Sequence, residues 1–180
     1  TIKLHSAKGM DYSYLANRKV FDLPGATWKI PPVSLIPLKS GSQPVRTPSR
    51  RYSAQERDFI DKEIKHLLQS QKIRPSHSSY RSQVVVVQRE DGKQRMAIDY
   101  SSTVNPQTER DAYPIPLMQD LLEKASKWSW FSKVDLSAAY QQLPLDPSEH
   151  FLTAFEANGR LYEYTHVPFG LMNAPAAFQR

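Results

Sequence analysis

Two dipeptides govern how this chain can fold. Asp91-Gly92 separates SQVVVVQRE from KQRMAIDY, and Asn158-Gly159 separates FLTAFEA from RLYEYTHV. Asp-Gly and Asn-Gly accept positive φ at both central positions of a tight turn whose twist matches that of paired strands, so each predicts an antiparallel hairpin. Four consecutive valines, Val84 to Val87, predict a strand covered on both faces. Arg89, Lys93 and Arg95 gather around the first turn. Such a basic tip is either a solubilising turn or a clamp for phosphate, and the residues alone leave both open.

Helices are expected between and after these hairpins. Ser53 and Glu56 have the spacing of a capping box, in which the serine accepts from an early helix amide and the glutamate reaches back. Phe59, Ile60, Ile64, Leu67 and Leu68 follow at helical spacing, and Pro75 closes the element near Gln71. Leu117, Met118, Leu121, Leu122 and Ala125 predict a second helix, opened by a proline in its first turn. A third is expected from about Pro175, with no stop signal before Arg180, so the natural chain is expected to continue. The aromatic and β-branched run from Trp130 to Leu136 predicts a strand that contains Asp135. Desolvating a carboxylate costs several kcal/mol, about that much even after relaxation, unless it is paired. Asp135 is therefore a cap for the turn at Ser137, an ion-pair partner or a metal ligand.

Composition narrows the chemistry. The chain has 180 residues, no cysteine and five histidines, which excludes a disulfide scaffold, thiolate catalysis and a Cys/His zinc site. Any metal would sit on carboxylate oxygens. No run approaches 18 apolar residues and no secretory signal opens the chain, so an intracellular protein with no membrane partner is expected, its place in a cytoplasmic particle or the nucleus being open. The net charge of +6 is uneven: residues 1–52 carry nine Lys/Arg against Asp11 and Asp22, leaving −1 for the rest. Six of the fourteen prolines fall within residues 24–48, which predicts an extended linker.

From about residue 40 onward the chain resembles the reverse transcriptase of Ty3/gypsy-type long-terminal-repeat retrotransposons. The segments that carry the resemblance are PVRTPSRRYSAQERDFIDKEIKHLLQSQKIRPSHSSYRSQVVVVQREDGKQRMAIDY, DAYPIPLMQDLLEKASKWSWFSKVDLSAAYQQLPL and LTAFEANGRLYEYTHVPFGLMNAPAAFQR, in the family's order. The resemblance implies an α+β fold, the right-hand polymerase fingers and partial palm, with two β-hairpins and packed helices. It divides the chain into a basic, Pro-rich segment at 1–40 and an incomplete polymerase domain at 41–180, with fingers at 41–110 and 143–173 and palm at 111–142 and 174–180.

The same resemblance implies RNA-directed DNA polymerisation, with primed RNA or DNA template, deoxynucleoside triphosphates and the rest of a Pol polyprotein as partners. Asp135 would be one of three carboxylates that hold two Mg²⁺ ions, with the Leu136 main-chain carbonyl as a second contact. Tyr140 would be the steric gate that excludes a ribose 2′-hydroxyl, and Ala139 would lie beside the nucleotide. Arg89 and Arg95 would close on the triphosphate, and Phe169 and Gly170 would form the loop next to nucleotide and template. The chain departs from the family at Ala138-Ala139, where Ser-Gly is common, and at Ser101-Ser102, where a basic residue is common. The family's Tyr-X-Asp-Asp segment occurs nowhere in the 180 residues, so the isolated chain is expected to be inactive. The competing expectation is a non-catalytic nucleic-acid-binding module, co-opted or degenerate.

Overall fold

The computed structural model describes residues 30–180 except 89–91, 93, 115, 133–135 and 137. It divides into two compact units, Pro31–Tyr113 with Tyr140–Arg180, and Thr1–Ile30 with Pro114–Ala139. The larger unit is built on helix α1 (Ala54–Gln69) and strands β1 (Ile73–Pro75), β2 (Ser82–Gln88), β3 (Gln94–Asp99), β4 (Phe155–Ala157) and β5 (Arg160–Tyr164). The expected capping box opens α1: the Ser53 hydroxyl accepts from the Glu56 amide at 3.2 Å, and the Glu56 carboxylate accepts from the Ser53 amide at 2.7 Å. Ile60, Ile64 and Leu67 form the stripe that α1 buries. Each such side chain contributes about 2 kcal/mol when fully removed from water.

Both hairpins form. In the first, β2 pairs with β3 from Gln83 opposite Asp99 out to Gln88 opposite Gln94. In the second, Asn158 and Gly159 take φ of 48° and 78° between β4 and β5, as the turn chemistry requires. The two join through a short parallel pairing of Ser82 with Phe155 and Gln83 with Glu156, giving one five-stranded sheet in the order β1-β5-β4-β2-β3. The valine run departs from expectation. Val84 is fully buried, Val85 and Val86 are half-buried, and Val87 is 46% exposed. The physical reason is that β4 flanks β2 only at its first two residues, so the outer half of the hairpin has β3 alone beside it.

Other expectations are corrected. Residues 31–38, read from sequence as linker, run extended but are docked: Leu35 and Ile36 are 4% and 3% exposed, and Val33 bridges Leu145 while Leu38 bridges Thr108. Their anchor is Glu149, in the 3-10 helix Pro147–Thr153. Its carboxyl group accepts from the Ser34 hydroxyl (2.6 Å) and from the amides of Leu35 (2.9 Å) and Ile36 (3.1 Å). Residues 1–29 of the expected linker lie outside the described residues. Helix α3 (Ala174–Gln179) lies in the same compact unit as the sheet.

In the smaller unit, helix α2 (Met118–Ser126) has Leu117 as its N-cap, so Pro116 stands before the helix rather than in its first turn. Its Met118, Leu121 and Leu122 are exposed. Trp130, Phe131, Ser132 and Leu136 belong to no strand, contrary to the expected one; Lys133, Val134 and Asp135 lie outside the described residues.

Glu149 and His166 each bear on stability. Glu149→Ala strands the Leu35 and Ile36 amides, which at about 1–3 kcal/mol per orphaned buried donor lowers unfolding free energy by about 3 kcal/mol in urea titration. Glu149→Gln, which retains one acceptor oxygen, falls between. The His166 imidazole is pushed below its ordinary value first by burial and then by Lys72 and His150. Unfolded chain therefore binds a proton that folded chain refuses, so this stability is complete above about pH 6.5 and is lost as pH falls from there toward the lowered folded value. Urea midpoints measured from pH 7.5 to 5 should fall with pH, and His166→Gln should flatten the decline.

Candidate functional site

Three residues singled out from sequence meet in the larger unit. Arg95, exposed near the end of β3 that faces the turn, places its guanidinium carbon 4.0 Å from the centre of the Phe169 ring. Tyr140 packs edge-on against the same ring with centroids 5.3 Å apart, and edge-on against Phe178 of α3 at 5.7 Å. The aromatic quadrupole accounts for both geometries: its negative face attracts the cation, and its positive edges favour perpendicular rings. Tyr140 is half-buried and packed against the hydrophobic core, so the cluster is tied to the sheet rather than carried on a free loop.

Gly170, next to Phe169, explains its own residue type. Its φ is +96°, and a Cβ there would stand 3.0 Å from the Ile98 carbonyl oxygen of β3. The backbone of this glycine thus lies close against β3. Asn105 fixes the same loop by donating from its amide nitrogen to the Gly170 carbonyl (2.8 Å) and accepting from the Met172 amide (3.0 Å). Asn173, 3% exposed, donates to the carbonyls of Leu35 (3.0 Å) and Glu109 (2.8 Å) and accepts from the Asp111 amide (3.0 Å). Asp111 in turn accepts from Arg180 at 2.8 Å, and Asp99 stands 3.7 Å from Arg50.

The remaining candidates fall elsewhere. Arg89 and Asp135 lie outside the described residues. Leu136, 45% exposed, and half-buried Ala139 belong to the other compact unit. Among the described residues no group of three or more His, Asp or Glu is arranged to hold a metal ion, so the donor set required for a metal centre is not met by them. Sequence reasoning missed Asn105, Asn173 and Phe178. Asn173 had a weak signal, an asparagine directly before the helix Ala174–Gln179, which its side chain does not cap; Asn105 and Phe178 had none.

A family model described as reverse transcriptase (RNA-dependent DNA polymerase) matches residues 62–180, more than half of the chain. The chain belongs to the reverse transcriptase family. Within it, the likeness is to the Pol polyproteins of Ty3/gypsy-type elements. It is 36% identical over 129 residues to the Retrovirus-related Pol polyprotein from transposon gypsy of Drosophila melanogaster, covering 68% of this chain and 12% of that protein. It is 36% identical over 149 residues to the Enzymatic polyprotein of Cauliflower mosaic virus (strain Strasbourg), covering 81% of this chain and 22% of that one. The chain thus spans 12% to 22% of these relatives' lengths. Among solved structures, a foamy viral protease-reverse transcriptase in complex with double-stranded DNA superposes with a TM-score of 0.71 at 23% identity, over 83% of this chain and 26% of that one. The native prototype foamy virus protease-reverse transcriptase gives 0.65 at 26% identity, over 79% and 19%. The first supports the α+β fold of fingers and partial palm.

Gly170→Ala places a side chain in left-handed backbone against the Ile98 carbonyl. A cost of about 1–3 kcal/mol is expected, read as a lowered Tm, together with loss of the Arg95–Phe169 contact in nuclear Overhauser spectra.

Proposed function

We propose that this chain supplies the nucleotide-facing part of an RNA-directed DNA polymerase that extends a primer on an RNA or DNA template. The observation that supports this reading most is the Arg95–Phe169–Tyr140 cluster, held beside Gly170 by contacts with the core and with β3. Arg95 is oriented by the Phe169 face and binds the triphosphate of an incoming deoxynucleotide through charge-assisted hydrogen bonds, joined by Arg89 from the hairpin tip. Tyr140, held from two sides by Phe169 and Phe178, keeps its ring where a 2′-hydroxyl would have to pass, and so selects deoxyribose by exclusion. Ala139, the next residue back, offers a small side chain beside the nucleotide, and the Phe169-Gly170 loop borders nucleotide and template.

Asp135 and the Leu136 carbonyl are assigned to Mg²⁺. A divalent ion held there would neutralise charge developing on the α-phosphate and the leaving pyrophosphate. Because Asp135 is the one carboxylate matched to that role and no Tyr-X-Asp-Asp segment stands in the chain, purified residues 1–180 with Mg²⁺ should give no primer extension. That the matched relatives are polyproteins supports further polypeptide as a partner, and the solved neighbour in complex with double-stranded DNA supports a nucleic-acid partner.

Cross-linking of a photoreactive deoxynucleoside triphosphate in the presence of a primed template tests the assignment. Arg95→Ala should lower labelling about ten- to a hundredfold, the loss of a charged hydrogen bond of about 1.5–3 kcal/mol. Tyr140→Ala should erase the advantage of deoxynucleotide over ribonucleotide competitors. Labelling that ignores both substitutions, with template binding retained, would point instead to a nucleic-acid-binding module without a nucleotide site.

A further inference from the structure

A second cationic site lies at the opposite end of β2 from the Arg95 cluster. Arg46, Arg81 and Arg160, with Ser78, Ser79 and Glu156, line a cavity of about 320 Å³. Its construction is specific. Arg46 and Arg81 are partners in a parallel backbone bridge, with the Thr47 amide bonded to the Arg81 carbonyl (2.9 Å) and the Arg81 amide to the Val45 carbonyl (3.0 Å). Main-chain pairing therefore fixes two like charges side by side. The Arg81 guanidinium is further held by its Nε donating to the Thr47 carbonyl at 3.0 Å. Arg160 enters from the β4–β5 hairpin, directly after the Asn158-Gly159 turn.

Glu156 does not balance this charge. Its Oε2 stands 3.6 Å from Arg81, but it already accepts from the Ser49 hydroxyl at 2.7 Å and the Gln83 amide at 3.4 Å. Among the described residues neither the Arg46 nor the Arg160 guanidinium has a hydrogen bond or ion pair. Three guanidinium groups against one shared carboxylate leave an excess of about two positive charges over a concave surface with the free Ser79 hydroxyl on its wall. That arrangement suits a doubly bonded tetrahedral oxyanion, because guanidinium forks match phosphate oxygens in pairs.

We propose that this cavity binds a backbone phosphate of a nucleic-acid strand. The choice of nucleic acid as the source of the phosphate rests on the function proposed above; the anion site itself does not. Along β2, Arg81 precedes Val87, the cross-strand partner of Arg95, by six residues, and the two stand on the same side of the sheet by strand alternation. At about 3.3 Å per residue the sites lie roughly 20 Å apart. A strand rising about 3.4 Å per nucleotide would span them in about six steps. The cavity is thus placed to hold a strand at a distance from the nucleotide, independently of the Arg95 cluster.

The test uses the 180-residue chain, fluorescein-labelled oligodeoxythymidylate and anisotropy titrations over a range of salt. Arg46→Gln/Arg160→Gln should weaken binding about five- to tenfold and reduce the salt slope by about 0.7, the value for one phosphate contact on a single strand. Neither side chain has a partner to lose, and thermal melting checks that the fold is kept; Arg46→Lys/Arg160→Lys should recover most of the salt slope. Unchanged affinity and slope in the glutamine variant, with Arg95→Gln weakening binding, would overturn this proposal and leave the nucleotide site standing. Weakening by Arg46→Gln/Arg160→Gln alone would uphold the cavity and count against the nucleotide site. Micromolar binding of inorganic phosphate that the oligonucleotide does not displace would overturn a nucleic-acid ligand. A glutamine variant that does not melt cooperatively would show that these arginines hold the fold, and would also overturn the proposal.

Discussion

The sheet depends on a parallel contact only two residues long. Ser82 and Gln83 meet Phe155 and Glu156, and through that meeting two hairpins separated by more than fifty residues become one surface. A hairpin alone is marginal in water, since one bare face cannot bury enough apolar area. The join is accordingly reinforced. The Ser82 amide donates to the Ala154 carbonyl at 2.9 Å, its hydroxyl pairs with that of Thr103 at 2.6 Å, and the Tyr100 hydroxyl donates to the Thr153 carbonyl at 2.9 Å. These polar groups are buried, so each would cost free energy if left unpaired, and together they admit one register. Helix α1 then covers one face, and the opposite face carries the charged side chains Arg81, Glu156, Asp99 and Arg95.

Local chemistry made the hairpins and α1 legible. Positive φ at Asn158 and Gly159, and the reciprocal bonds of Ser53 and Glu56, are settled within four residues. The join of the hairpins could not be read in this way, because nothing in SQVVVVQ states which remote strand it will meet. The same blindness explains the valines. Their composition fits a strand covered on both faces, but cover depends on how far β4 runs, and β4 stops after three residues. Prolines between 24 and 48 correctly indicate extended backbone for 31–38 yet say nothing about docking, which is decided by the Glu149 carboxyl group more than a hundred positions away. The run from Trp130 shows the limit of composition itself: aromatic and β-branched residues there form no strand where they are described.

The candidate site was legible in a different manner. No spacing rule connects Arg95, Tyr140 and Phe169, which stand on a strand, a 3-10 helix and a loop. Their roles were named through the family resemblance, and in the structure Arg95 and Tyr140 each pack against Phe169. The supports, Asn105 and Asn173, escaped because an asparagine that satisfies backbone groups of distant loops resembles any loop asparagine in sequence. The cavity at Arg46, Arg81 and Arg160 escaped for the same reason, since its arginines come from three segments and only tertiary pairing makes them neighbours.

Asn173 has a consequence for the order in which the molecule assembles. One side chain satisfies the Leu35 carbonyl, 138 positions earlier, together with Glu109 and Asp111. Contacts of such separation form only after the intervening chain has surrendered its loop entropy, and they belong to the slow part of folding. The loop bearing Phe169 and Gly170, which Asn173 follows, is therefore anchored by contacts of high loop-closure cost, whereas the hairpins and α1 are held by contacts local in sequence.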